Sequence, residues 1–390
     1  MPSLFARSRP IFKRNLPAGQ SIQNVFRKMS RFDWWLVLCL AAASAFGVVM
    51  LYSVAGGHFE PWAMKHIQRF IIGFMVLCTV AIIDIRWWLR VSFPLYIISL
   101  LLLILVELVG TTAMGAQRWL TLGPVQIQPS EFMKITLVLA LAAYFQYTPP
   151  NKVSQFWRVC LALLMIGVPV ALVVHQPDLG TAVLLLAGAL GMMFASGIHW
   201  AYFVTGGVSA TVALPFLWTF LHTYQKQRIL TFFKPESDPL GAGYHIMQSK
   251  IALGSGGVSG KGLMNGTQSQ LNFLPEKHTD FIFTTMGEEL GLLGCLALLC
   301  VYFIILAIGL KISLKAKNRF GAMVAMGVCM TFFLYIFVNV AMVMGLLPVV
   351  GVPLPFVSYG GTAMMTLMFG FGLLMNVWVH RTVEISALRK

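Results

Sequence analysis

Residues 274–283 read Leu-Pro-Glu-Lys-His-Thr-Asp-Phe-Ile-Phe, a polar stretch running directly into an apolar helical pattern. Asp280 stands at the junction. A carboxylate between a wet loop and lipid is partly desolvated, which is expected to raise its basicity. It could then take a proton from a hydroxyl presented at a membrane surface, the work of a general base. The plain alternative is that Asp280 caps the helix that follows, although Thr279 could do so as well. Glu276 and His278 flank it; the imidazole could orient the carboxylate or bind phosphate, or simply be solvated.

Other ionisable groups enter apolar runs. Glu288 and Glu289 lie about two turns deeper in the same helix, where each needs a partner or a proton; a structural ion pair is expected, with Arg118 and Lys134 as candidate partners. Arg118 and Trp119 suit an anionic headgroup and its sugar face, against the alternative of an interfacial aromatic belt. Gln128-Pro-Ser-Glu131 enters the next helix, with Ser130 as expected N-cap and Lys134 one turn in. Asp178, in the turn His175–Gly180, either serves the site or caps a helix. The run Gly254–Gly266 is not a nucleotide phosphate loop, since Ser255 stands where glycine is needed and Gly262 where Ser or Thr is needed. Two readings of this run stay open: its successive N–H groups with Lys261 hold a pyrophosphate, or its glycines only allow a tight turn.

These groups must be positioned by membrane helices. The chain has 390 residues, 58% hydrophobic and 11% charged, against roughly 25% charged in soluble domains. The charge of +15 falls mainly in loops between apolar runs. Topology and anionic lipid explain it better than nucleic acid, for which no aromatic-basic module is present. The six cysteines lie singly in apolar runs, which argues against disulfides and a zinc site. Residues 1–32 read as a disordered cytoplasmic basic arm without a cleavable signal.

The expected fold is an all-α polytopic membrane protein with ten transmembrane helices, at about 34–54, 68–84, 92–110, 131–146, 157–174, 180–196, 201–221, 281–310, 320–345 and 358–379. The eighth is interrupted by Gly287-Glu288-Glu289-Leu290-Gly291. Lys and Arg placement predicts N-in/C-in. Only Asp33, Asp84 and Glu384 of the 13 acids then fall on the cytoplasmic side, so either polar chemistry concentrates outside or acids are simply rarer in cytoplasmic loops rich in Lys and Arg. Residues 33–380 form the ten-helix domain and 381–390 a cytoplasmic tail. Extracytoplasmic loops span about 111–131 and 222–280, the larger lying between helices 7 and 8. It is expected to hold short interfacial helices over Tyr224–Phe233, with Arg228, and Tyr244–Leu253. The link Gly345–Gly361 is read as re-entrant or groove-lining.

Several runs resemble one family. Gly115-Ala-Gln-Arg-Trp-Leu120, Gln128-Pro-Ser-Glu131, Gln176-Pro-Asp-Leu-Gly-Thr181, Gly260-Lys-Gly262 with Gly266-Thr-Gln268, Leu274–Phe283 and Pro353–Gly361 look like the shape, elongation, division and sporulation (SEDS) glycosyltransferases of bacteria. The match covers nearly all of the chain after residue 30, and the 260–278 region is similar to the elongation member more than the division member. The resemblance implies polymerisation of lipid II into peptidoglycan glycan strands on the outer face of the plasma membrane. Asp280 would be the essential aspartate and Trp119 the loop tryptophan. The implied partners are lipid II, a class B penicillin-binding transpeptidase and other membrane proteins of the elongation complex.

On this reading Asp280 deprotonates the acceptor hydroxyl in an inverting transfer, and Arg118, Lys134, Arg228 and Lys261 stabilise the leaving pyrophosphate. A divalent cation (Mg²⁺ or Mn²⁺) is an optional helper; no resident cofactor is expected. The substrate-binding candidates are Arg118, Trp119, Gln128, Ser130, Glu131, Lys134, Asp178, Arg228, Lys261, Gln268, Glu276 and His278. A lipid II flippase and a non-catalytic scaffold of the cell-wall machinery are the alternatives. The first is disfavoured because the acids crowd one face.

Overall fold

A computed structural model of the chain describes residues 26–113, 116–122, 125–220, 226, 230–232, 242–271, 273 and 276–385. The elements run α1 (Trp34–Val54), α2 (Ala63–Ile82), α3 (Ile85–Val109), strands β1 (Thr111–Ala113), β2 (Ala116–Leu122) and β3 (Val125–Ile127), then α4 (Pro129–Tyr147), α5 (Phe156–His175), α6 (Leu179–Ala195) and α7 (Ala201–Phe220). After these come α8 (Ala242–Ser255), a single turn at Thr267–Gln270, α9 (Ile282–Lys315), α10 (Arg319–Val343) and α11 (Gly361–Val379). Seven of these, α1, α2, α3, α5, α9, α10 and α11, are long and apolar enough to cross a membrane. A helix also stands on each of the other three predicted segments, as α4, α6 and α7.

What lies around the bundle can be read from α3. It buries one stripe at helical spacing, Ser92, Tyr96, Ser99, Leu103 and Val106, and exposes Ile97, Leu101, Ile104 and Leu108. A helix in water would turn a polar face outward; an apolar outer face calls for lipid. Inside, α4 is buried on nearly every side and packs against α3 and α10, while α10 also meets α6, α9 and α11.

Polar side chains close the helix ends. Asp33, Asp84 and Asn318 cap α1, α3 and α10 by accepting from the N–H of Leu36, Arg86 and Gly321. Asn376 donates its amide to the carbonyls of Val80, Ala81 and Ile83, satisfying acceptors left over at the end of α2.

Two departures from expectation concern the first of the predicted loops, at about 111–131. Strands β1, β2 and β3 form a three-stranded antiparallel sheet in that order, so the fold is mostly rather than wholly helical. Ser130 is not the N-cap of α4. Gln128 occupies that position and Pro129 the first helical one, where proline's missing N–H is no loss. In the second loop α8 covers the predicted 244–253 helix, whereas the one expected over 224–233, with Arg228, lies largely outside the described residues.

Candidate functional site

The Asp280 loop is clamped through its main chain. Tyr359 N–H donates to His278 O at 2.9 Å, and Ser358 Oγ to Thr279 O at 2.5 Å. Asn339 Nδ2 donates to both Asp280 O (2.9 Å) and Val352 O (2.7 Å). Residues 276–281 are thereby fastened to α10 and to the 345–361 link, which is largely buried at Val352, Leu354, Phe356 and Val357. Main-chain carbonyls supply the acceptors of these bonds. The Asp280 side chain is half-buried, and a Cβ at Gly351 would lie 3.4 Å from its Oδ2.

Helix α9 takes Phe281 as its N-cap, without a side-chain cap, and the Thr279 hydroxyl donates to Glu276 Oε2 at 2.7 Å. The His278 ring stacks on Trp62 with centroids 4.7 Å apart and tilts against Tyr359 at 6.2 Å. Burial pushes its pKa down; Glu276 opposes this and Lys277 adds to it. Arg69 lies over the Tyr359 ring at 4.4 Å and forms no ion pair with a described acid. This aromatic and cationic rim, Trp62, Arg69 and Tyr359, was not picked out from the sequence. Neither was Asn339, although an asparagine within an apolar span signals a function by its cost.

Below that loop α9 is broken at Gly291 (φ 66°, ψ −164°), at the predicted interruption. Non-helical backbone at membrane depth survives only when its polar groups are re-satisfied. The glycine-rich run does this. Lys261 and Gly262 donate their N–H groups to Glu288 O and Glu289 O, both at 3.0 Å, while Leu292 and Leu293 donate to Gly257 O and Val258 O at 3.0 and 3.1 Å. The approach demands bare glycine, because a Cβ on Gly260 would sit 2.1 Å from Glu289 O. Of the two readings of this run, the N–H groups of Lys261 and Gly262 bind carbonyls rather than a pyrophosphate.

Glu288 is ion-paired, but its partner is neither Arg118 nor Lys134. Lys261 Nζ lies 2.7 Å from its Oε1, and Thr267 Oγ1, Gln268 N and Ser269 N also donate to the carboxylate. Glu289 accepts from Ser53 Oγ at 2.5 Å, and its other oxygen is buried without a hydrogen bond. Lys277, whose pKa burial lowers and Glu289 pulls back up, donates to Ser269 O at 2.6 Å.

A further cluster gathers at the start of α4. Lys134 Nζ is 2.6 Å from Glu131 Oε1, and Tyr335 hydrogen-bonds both residues in the buried interior. Asp178 caps α6 through Thr181 N, accepts from Gln128 Nε2 and lies 3.8 Å from Arg118, which also donates to Pro177 O. Trp119 pairs with Thr111 across the β1–β2 ribbon. The cluster reaches toward the Asp280 loop through Gly180, whose missing Cβ leaves room for Val350 O, one residue from Gly351. Among the described residues, then, Glu276, His278 and Asp280 form one group. Arg118, Gln128, Glu131, Lys134 and Asp178 form a second, with Ser130 buried beside it. Lys261, Gln268, Glu288 and Glu289 form a third, beside the break in α9.

The FtsW/RodA/SpoVE family model, described as cell cycle protein, matches residues 33–383. The chain is 45% identical to the peptidoglycan glycosyltransferase MrdB of Escherichia coli K12 over 352 residues, covering 90% of this chain and 94% of that protein. It is 36% identical over 366 residues to the probable peptidoglycan glycosyltransferase FtsW of Trichlorobacter lovleyi, with the same coverage. Its fold matches a chain of a solved peptidoglycan synthase complex, described as coordinating polymerization and crosslinking, with a TM-score of 0.79 at 31% identity over 90% of this chain and 98% of that one. Rod shape determining protein RodA of Thermus thermophilus matches with a TM-score of 0.69 at 28% identity over 90% and 97%. With these matches running from α1 to the end of α11, the chain is a multi-pass membrane protein of the FtsW/RodA/SpoVE family, the SEDS family its motifs resemble.

Proposed function

We propose that this protein is a peptidoglycan glycosyltransferase that polymerises lipid II at the outer face of the bacterial inner membrane during cell elongation, with Asp280 as general base. The observation that carries the reading is the clamp on residues 278–280, because a base works best when its backbone is held in one place. Asp280 takes the proton from the acceptor's GlcNAc 4-hydroxyl. The freed oxygen attacks the anomeric carbon of the donor's MurNAc, and the bond to the lipid pyrophosphate breaks with inversion. Arg69 is the cation we assign beside the leaving group, since Lys134 and Lys261 already face Glu131 and Glu288. Base assistance of this kind contributes about 10²–10⁴-fold.

The finer architecture belongs to the same proposal: ten spans, N-in/C-in, with 1–32 and 381–390 in the cytoplasm. So does a class B penicillin-binding transpeptidase as partner, cross-linking the strands as they emerge. The test is polymerisation of lipid II by purified protein, alone and with the transpeptidase. Asp280→Asn should insert normally and make no polymer. Full activity of that variant would remove Asp280 from the chemistry, and transport of fluorescent lipid II into vesicles without polymer would point to a flippase.

A further inference from the structure

At the opposite end of α11 from Asp280, three cations surround one indole. Arg381 Cζ lies 4.1 Å from the centroid of Trp378, Lys311 Nζ 5.8 Å and Lys315 Nζ 6.0 Å. None of the three forms an ion pair with a described residue; the neighbouring acid, Glu384, faces Lys317 at 3.8 Å. The 19 residues of α11 put this cluster roughly 28 Å from the Asp280 end.

Helix ends explain part of the arrangement. Arg381 donates to Trp378 O at 2.9 Å and so satisfies a terminal carbonyl, and Lys315 lies in the last turn of α9, where a cation suits the dipole. Lys311 is one turn further in. Like charges four residues apart on a helix repel, and a third cation on the same ring adds to the strain. An anion between them would reverse that sign.

The surroundings specify what kind of anion. Leu314, between the two lysines in sequence, is 77% exposed, which places apolar surface beside the charges. Trp35 and Trp157 are exposed at the same end of the bundle, as expected for side chains at the level of lipid headgroups. Arg381 is held in place because its carbonyl accepts from Lys317 N at 3.0 Å and Asn318 Nδ2 anchors Val383 O, also at 3.0 Å. We propose that Lys311, Lys315, Arg381 and Trp378 form a binding site for the phosphate headgroup of an anionic phospholipid, its acyl chains running along the outer face of α9 past Leu314.

Native mass spectrometry of the full chain, released from detergent after titration with phosphatidylglycerol or phosphatidylcholine, tests this. One phosphatidylglycerol should be retained, and phosphatidylcholine should not compete. Removing the charges should weaken retention about fivefold per cation and about a hundredfold in Lys311→Gln/Lys315→Gln/Arg381→Gln. Arg86→Gln/Arg90→Gln, basic positions elsewhere, should leave retention unchanged. Equal retention by the triple variant, equal loss in the Arg86/Arg90 control, or displacement of the lipid by millimolar inorganic phosphate would each overturn the proposal. If the triple variant does not fold, Lys311→Gln alone, on an exposed position, carries the same test.

Discussion

Replacing Lys261 with methionine separates a structural lysine from one that serves substrate. Its ammonium lies 2.7 Å from Glu288 Oε1 and 3.0 Å from Thr267 Oγ1, and Glu288 is fully buried. Breaking a buried pair by deleting one partner costs about 3–5 kcal/mol. Here the loss is smaller, because the Lys261 side chain is 29% exposed and three other donors remain on the carboxylate. We expect about 2–3 kcal/mol for Lys261→Met. Glu288→Gln should cost less, about 1–2 kcal/mol, since its amide can still accept and Lys261 can turn toward water. In the double variant the two losses should fall short of their sum by about 1 kcal/mol or more. SDS titration in mixed micelles, followed by tryptophan fluorescence, measures all three. Lys261→Met should lose polymerisation only in step with the folded fraction. An unchanged unfolding midpoint together with abolished polymerisation would refute this reasoning and return Lys261 to the substrate.

Three further outcomes are expected. Asn339→Ala strands the carbonyls of Asp280 and Val352 and should cost about 2–4 kcal/mol in total; kcat for polymerisation should fall more than KM rises, and Asn339→Asp, which loses the donors, should not rescue it. Gly291→Ala should fail to give monodisperse protein, because its Cβ would meet Gly260 N at 2.3 Å in a conformation that alanine rarely adopts. Burial lowers the His278 pKa below its ordinary 6.5, so the unfolded chain binds more protons at mildly acid pH. Its contribution is then complete above about pH 6.5 and declines as pH falls below that value. Unfolding midpoints from pH 5 to 8 should fall toward acid pH, and His278→Phe should make that slope shallower.

The helices were legible because each is a run of apolar residues long enough to matter, and the break in α9 because Gly287-Glu288-Glu289-Leu290-Gly291 could not sit in lipid unaided. The partners were less legible. Glu288 meets a lysine 27 residues earlier, a pairing that depends on how the loop folds back rather than on helical spacing. The strands at 111–127 include two of three residues, too short for alternation to show. The N-terminus of α4 could have been read correctly, since a proline at 129 favours the first helical position and makes Gln128 the cap. At the site, the junction placed Asp280. In the rim, Trp62 and Arg69 stand seven residues apart at the start of α2, but Tyr359 comes from a segment far along the chain, and no local pattern connects it to them.

The break in α9 also limits how the protein can be re-engineered. Residues 256–262 and 287–293 are two halves of one joint, each shaped to the other's missing side chains. A chimera that imports the outer loop from a relative must import the first turns of α9 with it, or the seam will contain mismatched backbones in a place where water cannot repair them.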